Sequence, residues 1–90
     1  MKVYQSRSFE TRVKKFNKKE KHELDNEIEK IIKNPSIGSE KKGDLRGIFV
    51  HKFNLQNQIY ILAYRVNKEG SLELIMIGPH ENYYRNLKTY

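Results

Sequence analysis

Cysteine is absent from this 90-residue chain, which excludes disulfide cross-links, thiolate metal sites and a thiol nucleophile. A reducing cytoplasm is compatible with that absence. No apolar run approaches the ~20 residues needed to span a bilayer. The charges that begin at Lys2 and continue densely to Lys33 leave no apolar stretch for a signal peptide. Hydrophobic residues are scarce at 37%, and the three histidines, His22, His51 and His80, have no zinc-site spacing. What the chain does have is positive charge, 18 Lys and Arg against 11 Asp and Glu for a net +7. That balance favours polyanions or an acidic protein as partners. Six tyrosines and four phenylalanines supply large core pieces. A chain this short holds one domain, residues 1–90, with one modest core.

Val3-Tyr4-Gln5 reads as a brief strand. Ser6 or Ser8 can cap a first helix whose Phe9, Val13 and Phe16 recur at i, i+4 and i+7. Asn17 and Glu20 have the spacing of a capping box, so a second helix starts there, with Leu24, Ile28, Ile31 and Ile32 on its buried face. Asn34-Pro35 ends it, because proline disfavours the α conformation in the residue before it. Pro35 to Gly47 is a glycine-containing loop. Strands follow at Ile48 to Phe53, Ile59 to Val66 and Leu72 to Ile77, joined by short connections that suit an antiparallel meander. The middle strand is apolar on both alternating faces as far as Arg65, which predicts a central position. If two helices cover one face of this sheet, the other must be covered by something else, by a partner, or be left partly exposed. The expectation is an α+β domain of two N-terminal helices on a twisted antiparallel sheet of about four strands, closed by a short C-terminal helix through Tyr83, Tyr84 and Leu87.

The residues after the last strand, Gly78-Pro79-His80-Glu81-Asn82-Tyr83-Tyr84-Arg85-Asn86-Leu87-Lys88-Thr89-Tyr90, gather a histidine, adjacent tyrosines and cations. Such a segment can handle phosphates or bases, or it can be an ordinary docking helix. An imidazole with an unperturbed pKa of about 6.5 populates both protonation states at cellular pH, so His80 is a candidate acid or base; it can equally pack at a strand-to-helix corner. Tyr84 lies four residues on, within reach of the same helix face. A lone Arg65 on a central strand needs a partner or a phosphate if it faces inward. His51 and Lys52 cannot both enter one cleft without a bulge, since neighbours on a strand alternate faces. Arg46 can position a phosphate or remain a solvated loop charge, and Glu81 suits the first turn of a helix.

Taken in order, Gly43-Asp44-Leu45-Arg46-Gly47 before the second strand, Tyr64-Arg65 late in the third, and His80-Glu81-Asn82-Tyr83-Tyr84-Arg85-Asn86-Leu87-Lys88 resemble the RelE/ParE superfamily of bacterial type II toxins over nearly the whole chain. The resemblance implies a small α+β fold with an open concave face and a metal-free, cofactor-free endoribonuclease that cleaves mRNA on the ribosome. It also implies a cytoplasmic protein neutralised by a cognate acidic antitoxin. His80, Arg65 and Tyr84 would be catalytic: acid or base, charge stabilisation, and base stacking or phosphate orientation. Lys52, His51, Arg46 and Tyr83 would contact substrate. ParE-like members share the scaffold but poison DNA gyrase without cleaving RNA, and a nontoxic RNA- or protein-binding module could retain it too. The lysines of the helices, Lys14, Lys15, Lys18, Lys19 and Lys21, would be a solvated face or a surface for ribosomal RNA or an acidic antitoxin.

Overall fold

The computed structural model describes residues 1–80. Five strands form one sheet in the order β1-β5-β4-β3-β2, where β1 is Val3–Gln5, β2 Ser39–Glu40, β3 Phe49–Leu55, β4 Gln58–Val66 and β5 Leu72–Pro79. β1 runs parallel to β5 and the other neighbours are antiparallel. Two helices, α1 (Arg7–Val13) and α2 (Lys18–Lys33), lie between β1 and β2 in the chain. The expected α+β architecture is therefore present, with β4 at the centre of the sheet. Its extra strand is the two-residue β2, a segment too short for alternation to reveal.

Local chemistry accounts for the helix boundaries. Ser6 caps α1 by accepting from Phe9 N–H at 3.0 Å, and the same hydroxyl donates to Ile75 O. Ile75 is the extra residue of a β-bulge: Ala63 pairs with Met76 while Tyr64 pairs with Leu74. A bulged residue lacks its ladder partner, and Ser6 supplies one for its carbonyl. Asn17 and Glu20 close the capping box of α2 with two 2.8 Å bonds, and Asn34 ends the helix ahead of Pro35. The helix α1 stops at Val13, so Phe16 enters the core from the connection rather than from the helix.

The β3–β4 hairpin turns on Gln56 and Asn57 alone. Both have positive φ, 50° and 67°, as a type I′ turn requires to match strand twist. Leu55 can thus pair directly with Gln58, and Leu55 is buried in the core.

The main core lies between helices and sheet, built from Phe9, Phe16, Leu24, Ile31, Phe53, Leu55, Leu62, Tyr64, Leu72, Leu74 and Ile77. A second cluster on the opposite face contains Val50, Ile61, Ala63 and Ile75, with Leu45, Ile48 and Met76 packed against it. Covering of that far face thus begins with the chain's own loop before β3. Tyr64 is fully buried at the seam between α2 and β2. Its hydroxyl donates to Pro35 O at 2.7 Å and accepts from Gly38 N–H at 3.0 Å, while its ring stacks on Phe49. Gly38 must be glycine for space: a Cβ there would lie 2.8 Å from the Tyr64 hydroxyl and 3.0 Å from Val50 O.

Candidate functional site

Strand alternation sorts the candidate residues between the two faces. Lys52 is exposed and pairs with Ile61, which pairs in turn with Gly78. Residues directly opposite one another share a face, so Lys52, Ile61 and Gly78 form one row across β3, β4 and β5 on the face away from the helices. At neighbour spacings of about 4.8 Å, Lys52 and Gly78 backbones stand ~10 Å apart. His80 follows Gly78 by two residues and is exposed. Lys52 and His80 therefore belong to one end of the sheet.

Arg65 belongs to the other end. Pro79, adjacent to His80, pairs with Tyr60, and the five residues from Tyr60 to Arg65 separate the two sites by about 17 Å along β4. Arg65 and His80, expected in one catalytic set, are thus not brought together along the sheet. Arg65 instead reaches across to its strand neighbour Glu73, with Nε at 2.8 Å and Nη2 at 2.7 Å from Oε1. Asn67 Nδ2 donates to the other Glu73 oxygen at 3.2 Å. These bonds, first that of Arg65 and then that of Asn67, hold the Glu73 carboxyl below its ordinary pKa. The partner that a lone strand arginine demands is thus a carboxylate, and Arg65's charge is already compensated. Arg46 caps the 3₁₀ turn Gly43–Leu45 in the loop before β3, exposed and three residues before that strand begins.

His51 faces the helices, a correction to its expected contact with substrate beside Lys52. No bulge intervenes between them in β3, so alternation sends the imidazole under α2. Its Nε2 lies 2.8 Å from Glu27 Oε1, both side chains mostly buried, and its ring stacks on Phe53. Burial pushes the Glu27 carboxyl up, but its bonds to His51 and Lys30 outweigh that and leave it below its ordinary value. Glu27 was legible as unusual, because it occupies the stripe set by Leu24, Ile28 and Ile31, where a carboxylate needs a partner. Glu73 gave no such signal without the strand register. Tyr83 and Tyr84, with Glu81 and the expected terminal helix, lie outside the described residues. Among the described residues no group of three or more histidine, aspartate or glutamate side chains could hold a metal, and no helix is long and apolar enough to cross a membrane.

Two helices on one face of a mostly antiparallel five-stranded sheet form a scaffold known among small bacterial toxins. Residues 3–88 match the family model of the ParE-like toxin of type II bacterial toxin-antitoxin systems, and the chain belongs to that family. The solved structures it resembles have the same fold. E. coli RelE in the intact RelBE toxin-antitoxin complex is 18% identical with a TM-score of 0.68, over 87% of this chain and 94% of that one. The isolated E. coli RelE toxin is 18% identical at TM-score 0.67, over 98% of this chain and 96% of its own. A double arginine-to-alanine mutant of E. coli RelE in the free state gives TM-score 0.72 at 17% identity, over 96% of this chain and 90% of its own. None of the curated proteins matches the sequence.

Proposed function

We propose that this toxin is a metal-free endoribonuclease that cleaves messenger RNA held on the ribosome in the bacterial cytoplasm, and that a cognate acidic antitoxin neutralises it. The supporting observation is the shared row that sets exposed Lys52 and Gly78 on one face, two residues before His80. Cleavage by the neighbouring 2′-hydroxyl needs a group to move protons and a cation for the charge that develops on phosphorus. His80 takes the first role and Lys52 the second. Tyr84 and Tyr83 are assigned base stacking and phosphate orientation on the family resemblance, and Arg46 outlying backbone contact. Arg65 supports the sheet through Glu73.

Inducing the chain in cells and mapping message ends by primer extension tests this reading. New 5′ ends should appear with the wild type and with Arg65→Gln, and should vanish with Lys52→Ala and with His80→Ala. Persistence of the same ends in both of the latter variants would overturn the assignment.

A second reading, binding of DNA gyrase without RNA cleavage, draws on the apolar centre of the far face, where Val50, Ile61, Ala63 and Ile75 are buried and the nearby arginine is paired. Growth arrest with intact message and inhibited supercoiling in the same experiment would select it.

A further inference from the structure

The bulge at Ile75 decides which face of the sheet receives the end of β5. Leu72 and Leu74 belong to the core under the helices, and strict alternation from them would send Met76 and Gly78 to that face as well. The opposite is observed. Ile75 and Met76 both pack on the far face, Ile77 returns to the helix-side core, and Gly78 pairs with Ile61 in the Lys52 row. One extra residue inverts the phase of everything after it, as a bulge does when two residues oppose one.

The apolar pattern alone does not select this register. Leu74, Ile75, Met76 and Ile77 are apolar in succession, so a ladder without the bulge would put Met76 in place of Ile77 beneath the helices and Ile77 opposite Ile61 on the far face. Both layers would stay apolar, while Gly78 would turn away from Lys52.

Ser6 supplies the missing determinant. Its N–H donates to Leu74 O at 2.9 Å and its hydroxyl donates to Ile75 O. Successive carbonyls of a regular strand point to opposite edges, so without the bulge Leu74 O would face β1 and Ile75 O would face β4. Ser6 can bond both only in the bulged form. The same oxygen accepts from the N–H of Phe9 at 3.0 Å, a residue buried in the core, which leaves the hydroxyl proton for Ile75. The cap of α1, the edge strand β1 and the bulge are thus fastened at one side chain.

We infer that Ser6 is a positioning residue for the Lys52 and His80 end of the sheet. By holding two successive β5 carbonyls on one side it fixes the bulge, and the bulge delivers Gly78, two residues before His80, to the face of Lys52. The inference rests on the ribonuclease reading only for what that end does. The register is read without RNA, so the two can fail separately.

Ser6→Asp is the discriminating variant, because aspartate caps a helix as well as serine does but its carboxylate has no proton for Ile75 O at neutral pH. In NMR spectra of the full chain, the cross-strand proton contacts of Ile61 with Gly78 and of Tyr60 with Pro79 should give way to contacts of Ile61 with Ile77 and of Tyr60 with Gly78. Those of Arg65 with Glu73 and Val66 with Leu72, before the bulge, should remain and report a folded chain. Ser6→Thr restores the donor and should keep the native contacts. Should the carboxylate prevent folding, Ser6→Ala makes the same prediction. Deletion of Ile75 removes the extra residue and leaves Met76 alone opposite Ala63, so it should preserve the contact of Ile61 with Gly78 and make it indifferent to Ser6→Asp. A loss of stability alone would not be rescued by that deletion. In the mapping of message ends, Ser6→Asp should lower cleavage by about 10²-fold, as misplacement of a reacting group does, and the deletion should recover it. Native contacts of Ile61 with Gly78 in both Ser6→Asp and Ser6→Ala, or their loss in the double variant, would overturn the inference, as would undiminished cleavage by a chain whose register has shifted. A wild type that leaves message intact sinks the ribonuclease reading alone, and the NMR contacts still decide the role of Ser6.

Discussion

Truncating Tyr64 to alanine is expected to remove most of the stability of this domain. The side chain is fully buried, and emptying an aromatic core site costs about 3–5 kcal/mol. The loss does not end with volume. Pro35 O and Gly38 N–H both bond the phenol, and leaving such a group unsatisfied costs roughly 1–3 kcal/mol more. Small domains have only about 5–15 kcal/mol in total. Tyr64→Phe separates the two parts, because it keeps the ring on Phe49 and removes only the hydroxyl, for an expected loss of ~1–3 kcal/mol. Urea denaturation of the two variants reads both. A Tyr64→Phe protein as stable as the wild type would show that the hydroxyl does not fasten the α2–β2 connection.

The second large effect centres on Glu27. Glu27→Ala leaves His51 without its 2.8 Å partner beneath α2 and should cost about 1–3 kcal/mol. Glu27→Gln keeps an acceptor for the ring and should cost less. The two should also differ from the wild type in pH dependence. Glu27's carboxyl is held below its ordinary value of 4.5 in the folded chain, so between the folded and unfolded pKa values the unfolded chain binds more protons. Stability from this pair is therefore full above about 4.5, falls as pH drops through the folded value, and is absent below it. Glu73 contributes in the same sense through Arg65 and Asn67. The difference between wild type and Glu27→Gln in acid titrations of stability isolates the Glu27 part: the acid slope should be shallower in the variant. Identical slopes would contradict the linkage.

Much of the fold is readable in the residues because the signals are local. The capping box of Asn17 and Glu20, the stop at Asn34-Pro35, and the two-faced apolar run that makes β4 central each depend on a few neighbouring side chains. The sequence-level spacing of Phe9, Val13 and Phe16 overstates α1, since burial of Phe16 needs only its position and not a helix. Two-residue β2 and the bulge at Ile75 carry no periodic signature and depend on pairing across the chain.

The site is less legible for the same reason. Alternation alone correctly separates His51 from Lys52, but which of them faces α2 depends on how the helices pack. Nothing local tells Arg65 that Glu73 stands opposite it, because that pairing follows from the β4–β5 register after the bulge. The distance between Arg65 and His80 likewise follows from strand pairing, which sets Arg65 at one end of β4 and Pro79, the residue before His80, beside Tyr60 toward the other. Strand pairing rather than a motif sets Lys52 and the residue before His80 at one end of the sheet and Arg65 at the other.

The most direct test of that account is chemical. Purified toxin should be added to ribosomes stalled on a defined message, alongside the same message carrying a single 2′-deoxy substitution at the cleaved nucleotide. Attack by the 2′-hydroxyl with His80 moving the proton predicts an upstream fragment ending in a 2′,3′-cyclic phosphate, no cleavage of the deoxy message at that position, and loss of about 10²–10⁴-fold in rate with His80→Ala. Cleavage of the deoxy message at an undiminished rate, or both messages intact while the ribosomes are exposed to active toxin, would contradict it.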